Sequence, residues 1–316
     1  MKNISILLFL LLSFSFLAQE KYAREVSILS DNDLYVSLSS DRYYTNGLFL
    51  SYKYLSKNIP KNLEKKIFEW QLGHEMFSPY KAITTDKSRH DRPFAAHFFI
   101  NFNIKNVYKS NQILTFGGQF GVIGKNAYGE ELQNFIHDLY RFKPAAGWEF
   151  QVKNAVSINL KANYINHLAT DKKNLYDLNM IAGGRIGTVY TDFSAGLYSR
   201  IGFLSLQKMA NSIAFSTHLN SENTRFTRAA ESFFYLQPTF HYIFYDATLE
   251  GSFLNTGSPV TKKPNSIGFE LEIGLKFTVN RFNFAYGINY QSNKTSGLRY
   301  SNGYTYGRIS IHYLLH

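Results

Sequence analysis

The chain has 316 residues, 45% of them hydrophobic and 17% aromatic, with 28 Phe, 23 Tyr, 2 Trp and no cysteine. Only 18% are charged, yet Lys and Arg outnumber Asp and Glu by 34 to 23, a formal net charge of +11. The missing cysteine excludes disulfides, thiolate metal sites and thiol nucleophiles, the apolar and aromatic content excludes disorder, and a mean hydropathy of −0.23 with no apolar run of about 18 residues after Leu17 excludes a bundle of membrane-spanning helices.

The first expectation along the chain is export. Met1-Lys2-Asn3 supplies a positive start, Ile4 to Leu12 is apolar apart from Ser5, and Ser13 to Ala18 leads to a cut before Gln19. Residues 1–18 therefore read as a secretory signal peptide, too short to cross a bilayer as a helix. Phe16, three residues before that cut, departs from the small-x-small rule, which leaves the cleavage position open. Removing residues 1–18 takes away Lys2 and no acid, leaving +11 − 1 = +10 on residues 19–316. That remainder shows no second domain, fixed-period repeat or low-complexity linker. Export and the absence of a basic-aromatic nucleic-acid module argue against nucleic acid as partner. Phosphorylated lipid headgroups are an available anionic partner, and a basic surface without a dedicated ligand is the alternative.

From residue 24 onward the dominant pattern is alternation with period 2, which puts every second side chain on one face of a strand. It occurs at Arg24 to Ser30, Leu48 to Tyr54, Phe68 to Leu72, Phe98 to Ile104, Ile113 to Val122, Val156 to Tyr164 and Leu178 to Gly187. It continues at Val189 to Ile201, Phe233 to Ile243, Tyr245 to Phe253, Ile267 to Phe277, Phe282 to Tyr290 and Tyr304 to Leu315. The last pair before the C-terminus is joined by a tight Asn280-Arg281 turn and reads as an antiparallel hairpin. Many segments approach the roughly 9 to 11 residues that a tilted strand needs to cross a bilayer, longer than the roughly 5 or 6 usual in a sandwich. The small, polar and acidic phase suits a barrel interior and the Phe, Tyr and Leu phase suits lipid. Tyr43-Tyr44, Tyr52, Tyr54, Tyr300, Tyr304 and Tyr306, at segment ends, suggest an interfacial girdle. The fold class expected is all-β, a transmembrane antiparallel β-barrel. Single-chain bacterial barrels have even strand numbers, so of these thirteen segments one is spurious or one further strand is missing.

One stretch breaks the alternation. In Gly129 to Tyr140, Leu132, Phe135, Ile136 and Leu139 fall at helical spacing, which predicts a short amphipathic helix in a rim loop. Gln133 and His137 lie at i and i+4 on its polar side, close enough to act on one object. His137 could serve as a general base or be a plain polar residue. Asp31-Asn32-Asp33 could hold a hard cation with loop carbonyls and water, or simply form a turn; it is not an EF-hand, since Val36 stands where Gly is needed and no Glu closes the loop. Neither G-x-S-x-G, H-E-x-x-H nor a glycine-rich phosphate loop occurs.

Several segments in order go further: Ser30-Asp31-Asn32-Asp33, Asp41-Arg42-Tyr43-Tyr44-Thr45-Asn46-Gly47, Gly73-His74-Glu75-Met76-Phe77-Ser78-Pro79, Asp91-Arg92-Pro93-Phe94-Ala95, Gly121-Val122-Ile123-Gly124, Gly129 through Gln133 to His137, and Gly147-Trp148-Glu149-Phe150-Gln151. Together they resemble the outer-membrane lipid A 3'-O-deacylase family, LpxR. The resemblance implies a barrel of about 12 strands in the cell outer membrane and Ca²⁺-dependent removal of the 3'-linked acyl (acyloxyacyl) group of lipid A in lipopolysaccharide of the outer leaflet. It implies His137 as catalytic base with Gln133 beside it, Thr45 lining the site, and Asn32 and Asp33 serving the calcium site. Such a chain is expected to act as a monomer. The sequence departs from the family pattern at His74, Ala96 and Ala155 and has Asp31 where Glu is common. Lys81, Lys87, Arg89, Arg92 and Lys125 lie in loops beside these motifs, where they could meet phosphates or be solvated loop charge. The rival readings on the same barrel are a non-enzymatic pore or structural barrel, and a phospholipase.

Overall fold

Alternating strands bury their edges in a single sheet only if the sheet closes on itself, and this one does. A computed structural model describes residues 21–37, 42–221 and 229–316. Among the described residues twelve antiparallel strands form a closed barrel in which β1 pairs with both β2 and β12. They are β1 (Arg24–Asn32), β2 (Tyr43–Leu55), β3 (Leu63–Ser78), β4 (Ala95–Tyr108), β5 (Gln112–Ile123), β6 (Ala155–Thr170), β7 (Tyr176–Gly187), β8 (Tyr190–Gly202), β9 (Ser232–Asp246), β10 (Ile267–Val279), β11 (Phe282–Gln291) and β12 (Tyr304–Leu315). Helix α1 (Gly129–Tyr140) lies between β5 and β6, and a single turn, α2 (Ala247–Glu250), follows β9. No helix among the described residues is long and apolar enough to cross a membrane. The expected export signal at residues 1–18, and Asp41 of the Asp-Arg-Tyr-Tyr segment, lie outside the described residues.

Twelve of the thirteen expected segments are strands, and Tyr245 to Phe253 is the spurious one. β9 stops at Asp246, whose carboxylate accepts the Thr248 N–H at 2.9 Å and its hydroxyl at 2.6 Å. This caps α2 and diverts the backbone from the sheet. Lipid-facing and luminal phases fall as expected: Ile267 and Ile273 of β10 are 70% and 49% exposed, whereas Glu272 is buried inside. The tyrosine girdle, however, divides. Tyr52 and Tyr300 are exposed, but Tyr43, Tyr44, Tyr304 and Tyr306 are buried in the barrel mouth, where Tyr44 meets the Tyr306 ring edge-on at 4.8 Å and Tyr43 meets Tyr304 at 5.8 Å. Tyr304 and Tyr306 share the phase of Arg308 and Ser310, the inward one.

Bacterial barrels carry short turns on the periplasmic side and long loops outside. The turns at 56–62, 109–111, 171–175 and 280–281 share the end that holds Arg24 and His316, which is therefore periplasmic; the loops at 79–94, 124–154, 247–266 and 292–303 are at the other end. Between β8 and β9 the chain is an exception to the short turns, and its described residues 203–221 fold back into the barrel. Its Met209, Ala210, Ile213 and Phe215 pack on Val107, Ile113, Tyr198 and Phe233 of the wall. Three strand lysines donate to its carbonyls: Lys65 to Thr217 at 2.7 Å, Lys105 to Phe215 at 2.5 Å and Lys276 to Ala214 at 3.4 Å. Further along the lumen Arg308 bridges Asp31 and Glu272, and Tyr235 donates to Glu272 at 2.5 Å, a bar of side chains from four strands.

Arg200 ties this plug to the wall. It holds Asp177 at 2.5 Å, Glu231 at 3.3 Å and Ser212 at 2.6 Å, and is itself 1% exposed. Burial pushes the Glu231 carboxyl up, and Arg200 opposes that shift. Removing one member of a buried ion cluster leaves the others uncompensated at a cost of about 3–5 kcal/mol. Arg200→Leu is therefore expected to lower the urea concentration at which heat-modifiable gel migration is lost; an unchanged midpoint would show that the cluster does not hold the plug.

Candidate active site

Helix α1 occupies the residues that its spacing predicts. It lies so close to the wall that a Cβ on Gly129 would stand 2.5 Å from both the Ala96 methyl and the Trp148 ring, so the close approach requires glycine there. The apolar side faces out, with Phe135 and Leu139 67% and 72% exposed, while Gln133 and His137 are 1% and 5% exposed against the protein. For a helix at a membrane rim this is the expected sense, since lipid rather than water receives the apolar face.

Each inward side chain is held. Gln133 accepts the Trp148 indole N–H at 2.7 Å and donates to Ser78 Oγ at 3.3 Å, which fixes the amide at the upper end of β3. One turn later α1 ends at Arg141, in the left-handed region at φ 60°, and the Phe142 N–H returns to the His137 carbonyl at 2.8 Å. This reversal brings the Lys143 carbonyl to His137 Nδ1 at 2.6 Å. A carbonyl can only accept, so Nδ1 carries the proton and the neutral ring has its basic lone pair on Nε2.

The first two strands bring their motif residues to the same rim. Tyr44 pairs with Phe77 and Asn46 with Met76, so Thr45 is the extra residue of a β-bulge. Bulges re-aim a side chain; Thr45, buried, donates to the Met76 carbonyl at 3.3 Å, two residues from the Ser78 that Gln133 holds. Asn46 in turn pairs with Asn32 across β1. Asn32 Oδ1 accepts the Leu34 N–H at 2.8 Å, and Asp33 Oδ2 accepts the Arg42 N–H at 2.9 Å. Asp31 points the other way and is engaged by Arg308 through both oxygens, at 2.8 and 2.9 Å. Backbone pairing puts Asn32 and Thr45 on adjoining strands, and the Gln133–Ser78 bond ties α1, with His137, to the end of β3, while Asp31 belongs to the lumen.

His137 lines a cavity of about 470 Å³ with Arg42, Lys81, Arg141 and Lys143 among its walls and Tyr80, Phe142 and Tyr300 as its aromatic surfaces. Arg42 stacks over Tyr300 at 3.9 Å and also lines a second cavity of about 400 Å³ that contains Asp33. Four cations around His137 make a site suited to an anionic, phosphorylated headgroup. Of the five loop cations picked out in the sequence, only Lys81 lines this cavity. Lys87, Arg89 and Lys125 are exposed elsewhere. Arg92 is 2% exposed and donates to the Thr248 carbonyl at 3.2 Å, with burial drawing its guanidinium down from the ordinary value and Asp246 opposing. It is a structural cation, not solvated loop charge. Arg42, Arg141 and Lys143 were not singled out in the sequence, although two of them follow directly on the helix.

The departures from the family pattern are accommodated. His74 bonds the Ala127 carbonyl at 2.7 Å just before α1, Ala96 packs under Gly129, and Ala155 opens β6. For a cation, Asn32 and Asp33 offer one amide and one carboxylate, both hard oxygen donors. Among the described residues no three His, Asp or Glu side chains gather as a metal cage. The donor set fits Ca²⁺, which completes its sphere with carbonyl and water oxygens in irregular geometry.

A family model described as outer membrane protein LpxR matches residues 4–315. Among solved structures, LpxR from Salmonella typhimurium is similar with a TM-score of 0.73 at 18% identity, covering 92% of this chain and 100% of that one. The β domain of the Bordetella autotransporter BrkA follows at 0.46 and 9% identity, covering 93% and 99% of the two chains. No curated protein matches the chain by sequence.

Proposed function

This chain belongs to the LpxR family of outer-membrane proteins, and we propose that it is a lipid A deacylase that hydrolyses the ester of the 3'-linked acyl or acyloxyacyl group. The observation that supports this most is His137 itself: an imidazole turned away from lipid, its tautomer set by a backbone carbonyl, in a cavity lined with cations. Nε2 would take a proton from water as the water oxygen bonds to the ester carbon. The carbonyl oxygen gains charge in that step, and Lys81 and Lys143 line the same cavity where it must be stabilised. Collapse of the tetrahedral intermediate breaks the bond to the sugar oxygen, which receives the proton back from His137, and the fatty acid leaves after giving its own carboxyl proton to solvent. The charge that His137 carries meanwhile sits in the last turn of α1, where carbonyl ends favour a cation.

Gln133, locked between Trp148 and Ser78, positions rather than transfers: its amide holds one turn of α1 against β3 beneath the base. Thr45, on the bulge between β2 and β3, would line the site from that side. Asn32 and Asp33 would hold Ca²⁺, which when bound supplies Lewis-acid polarisation of the ester oxygen. The test is hydrolysis of purified lipid A by the reconstituted protein, followed by the appearance of free fatty acid.

The pore reading meets an obstruction. Among the described residues the plug and the Arg308 bar stand in the lumen, with Arg308 between cavities of about 280 and 350 Å³. In planar bilayers the protein is expected to show no steady ohmic conductance, and open-channel currents like a porin's would restore the pore reading.

A further inference from the structure

Seven chain segments meet at the periplasmic end of the barrel, and six of them present a basic side chain there. Lys57 and Lys61 are exposed after β2, Lys109 after β4, and Lys172 and Lys173 after β6. Arg24 is exposed at the start of β1, beside the C-terminal strand, Lys208 is exposed after β8, and Arg281 is half-buried after β10. With half-buried Lys21 and Lys66, the surface of this rim holds ten basic residues against two acidic ones, Glu64 and Asp171, among the described residues. Asp171 is turned into its own loop, where it accepts the N–H groups of Lys173, Leu175 and Tyr176. The deeper acids, Glu25, Asp177 and Glu231, are buried and matched by Lys53 and Arg200. They do not neutralise the rim.

The arrangement is a ring rather than a patch. A soluble partner would dock on one side or over the mouth, whereas these cations occur at every position around the circumference, as the surface that surrounds a barrel does. Aromatic rings lie beside them. Lys66 Nζ stands 5.3 Å from the Phe68 ring, which stacks on Tyr54, while Phe203 meets Phe234 at 5.0 Å and Phe282 meets Tyr313 at 4.9 Å. Aromatic belts sit at headgroup level, which puts the adjoining ammonium and guanidinium groups at the level of the lipid phosphates.

We propose that this ring binds the headgroups of anionic glycerophospholipids in the periplasmic leaflet, so that such lipids form the inner-leaflet annulus of the protein. The recognition is of phosphate carrying net negative charge. A zwitterionic headgroup, whose own ammonium compensates its phosphate, gains little from the same field. The contacts are exposed, and a Debye length of about 8–10 Å at ordinary ionic strength makes the preference salt-sensitive. Nothing in this inference depends on the deacylase reading, whose residues lie at the opposite end.

The test is to reconstitute the mature protein in nanodiscs of equal phosphatidylglycerol and phosphatidylcholine with matched chains, then to identify the lipids it retains by native mass spectrometry. Phosphatidylglycerol is expected to be retained roughly fivefold or more over phosphatidylcholine, the factor set by about one surface cation per lipid, and less so at high salt. A variant with Lys57→Gln, Lys61→Gln, Lys109→Gln, Lys172→Gln and Lys173→Gln is expected to approach parity, its folding checked by heat-modifiable migration. A control with Lys87→Gln, Arg89→Gln and Lys125→Gln at the other end is expected to retain the preference. Parity in the unaltered protein, or a preference that survives the five substitutions, would overturn the proposal. So would parity together with tight binding of a soluble polyglutamate peptide, which would make the ring a docking surface for protein.

Discussion

His137→Ala is expected to leave a folded, heat-modifiable barrel that no longer hydrolyses lipid A. Its side chain lies inward of α1 but outside the aliphatic and aromatic clusters of the barrel, and the helix keeps its packing through Gly129, Ile136 and Trp148. What is lost is the proton acceptor, and general acid–base assistance is worth about 10²- to 10⁴-fold. The fall should appear in kcat with KM little changed, because the cations that would hold the headgroup remain. Gln133→Ala should cost less, since it frees Trp148 and Ser78 without removing the base. Retention of more than a tenth of the activity by His137→Ala would remove His137 from the role of base.

Removal of Ca²⁺ is expected to have an effect of similar size. Excess chelator should abolish hydrolysis, and Ca²⁺ should restore it where Mg²⁺, which demands tighter octahedral geometry, does not. Asp33→Asn is the informative variant. The new amide can still accept the Arg42 N–H that Asp33 Oδ2 receives at 2.9 Å, so the backbone between β1 and β2 keeps its brace while one unit of negative charge is lost. A second readout is independent of turnover. A cation bound only to the folded state at about a hundred times its Kd adds about 2.7 kcal/mol, so Ca²⁺ should raise the unfolding temperature of the unaltered protein and not that of Asp33→Asn. Activity that persists in chelator, or an equal shift in both proteins, would return Asn32 and Asp33 to the role of turn residues.

Much of the barrel was legible because the side-chain period of a strand is a local property. The phase of Ile309 and Ile311 already implied that Tyr304, Tyr306 and Arg308 point inward; assigning those tyrosines to a girdle gave more weight to residue type than to phase. Tyr245 to Phe253 alternates as well as a strand does, and only the carboxylate of Asp246 caps it away. Helix α1 was legible for the same reason as the strands, its spacing being local. What could not be read were pairings between distant parts of the chain. The bulge at Thr45 exists only against β3, the tautomer of His137 is set by a carbonyl beyond the end of its helix, and the burial of Arg92 depends on Thr248, 156 residues away. The plug has no periodicity of its own. Its place is fixed by Lys65, 152 residues from Thr217, and by comparable contacts from other strands.

The most direct test of the deacylase reading is mass spectrometry of lipid A from cells that carry this protein, cells that lack it, and cells that carry His137→Ala. The expected result is a loss of mass equal to one 3'-linked acyl or acyloxyacyl group in the first strain alone. An identical lipid A profile in all three, with fatty acid released instead from glycerophospholipid or from no lipid at all, would contradict it.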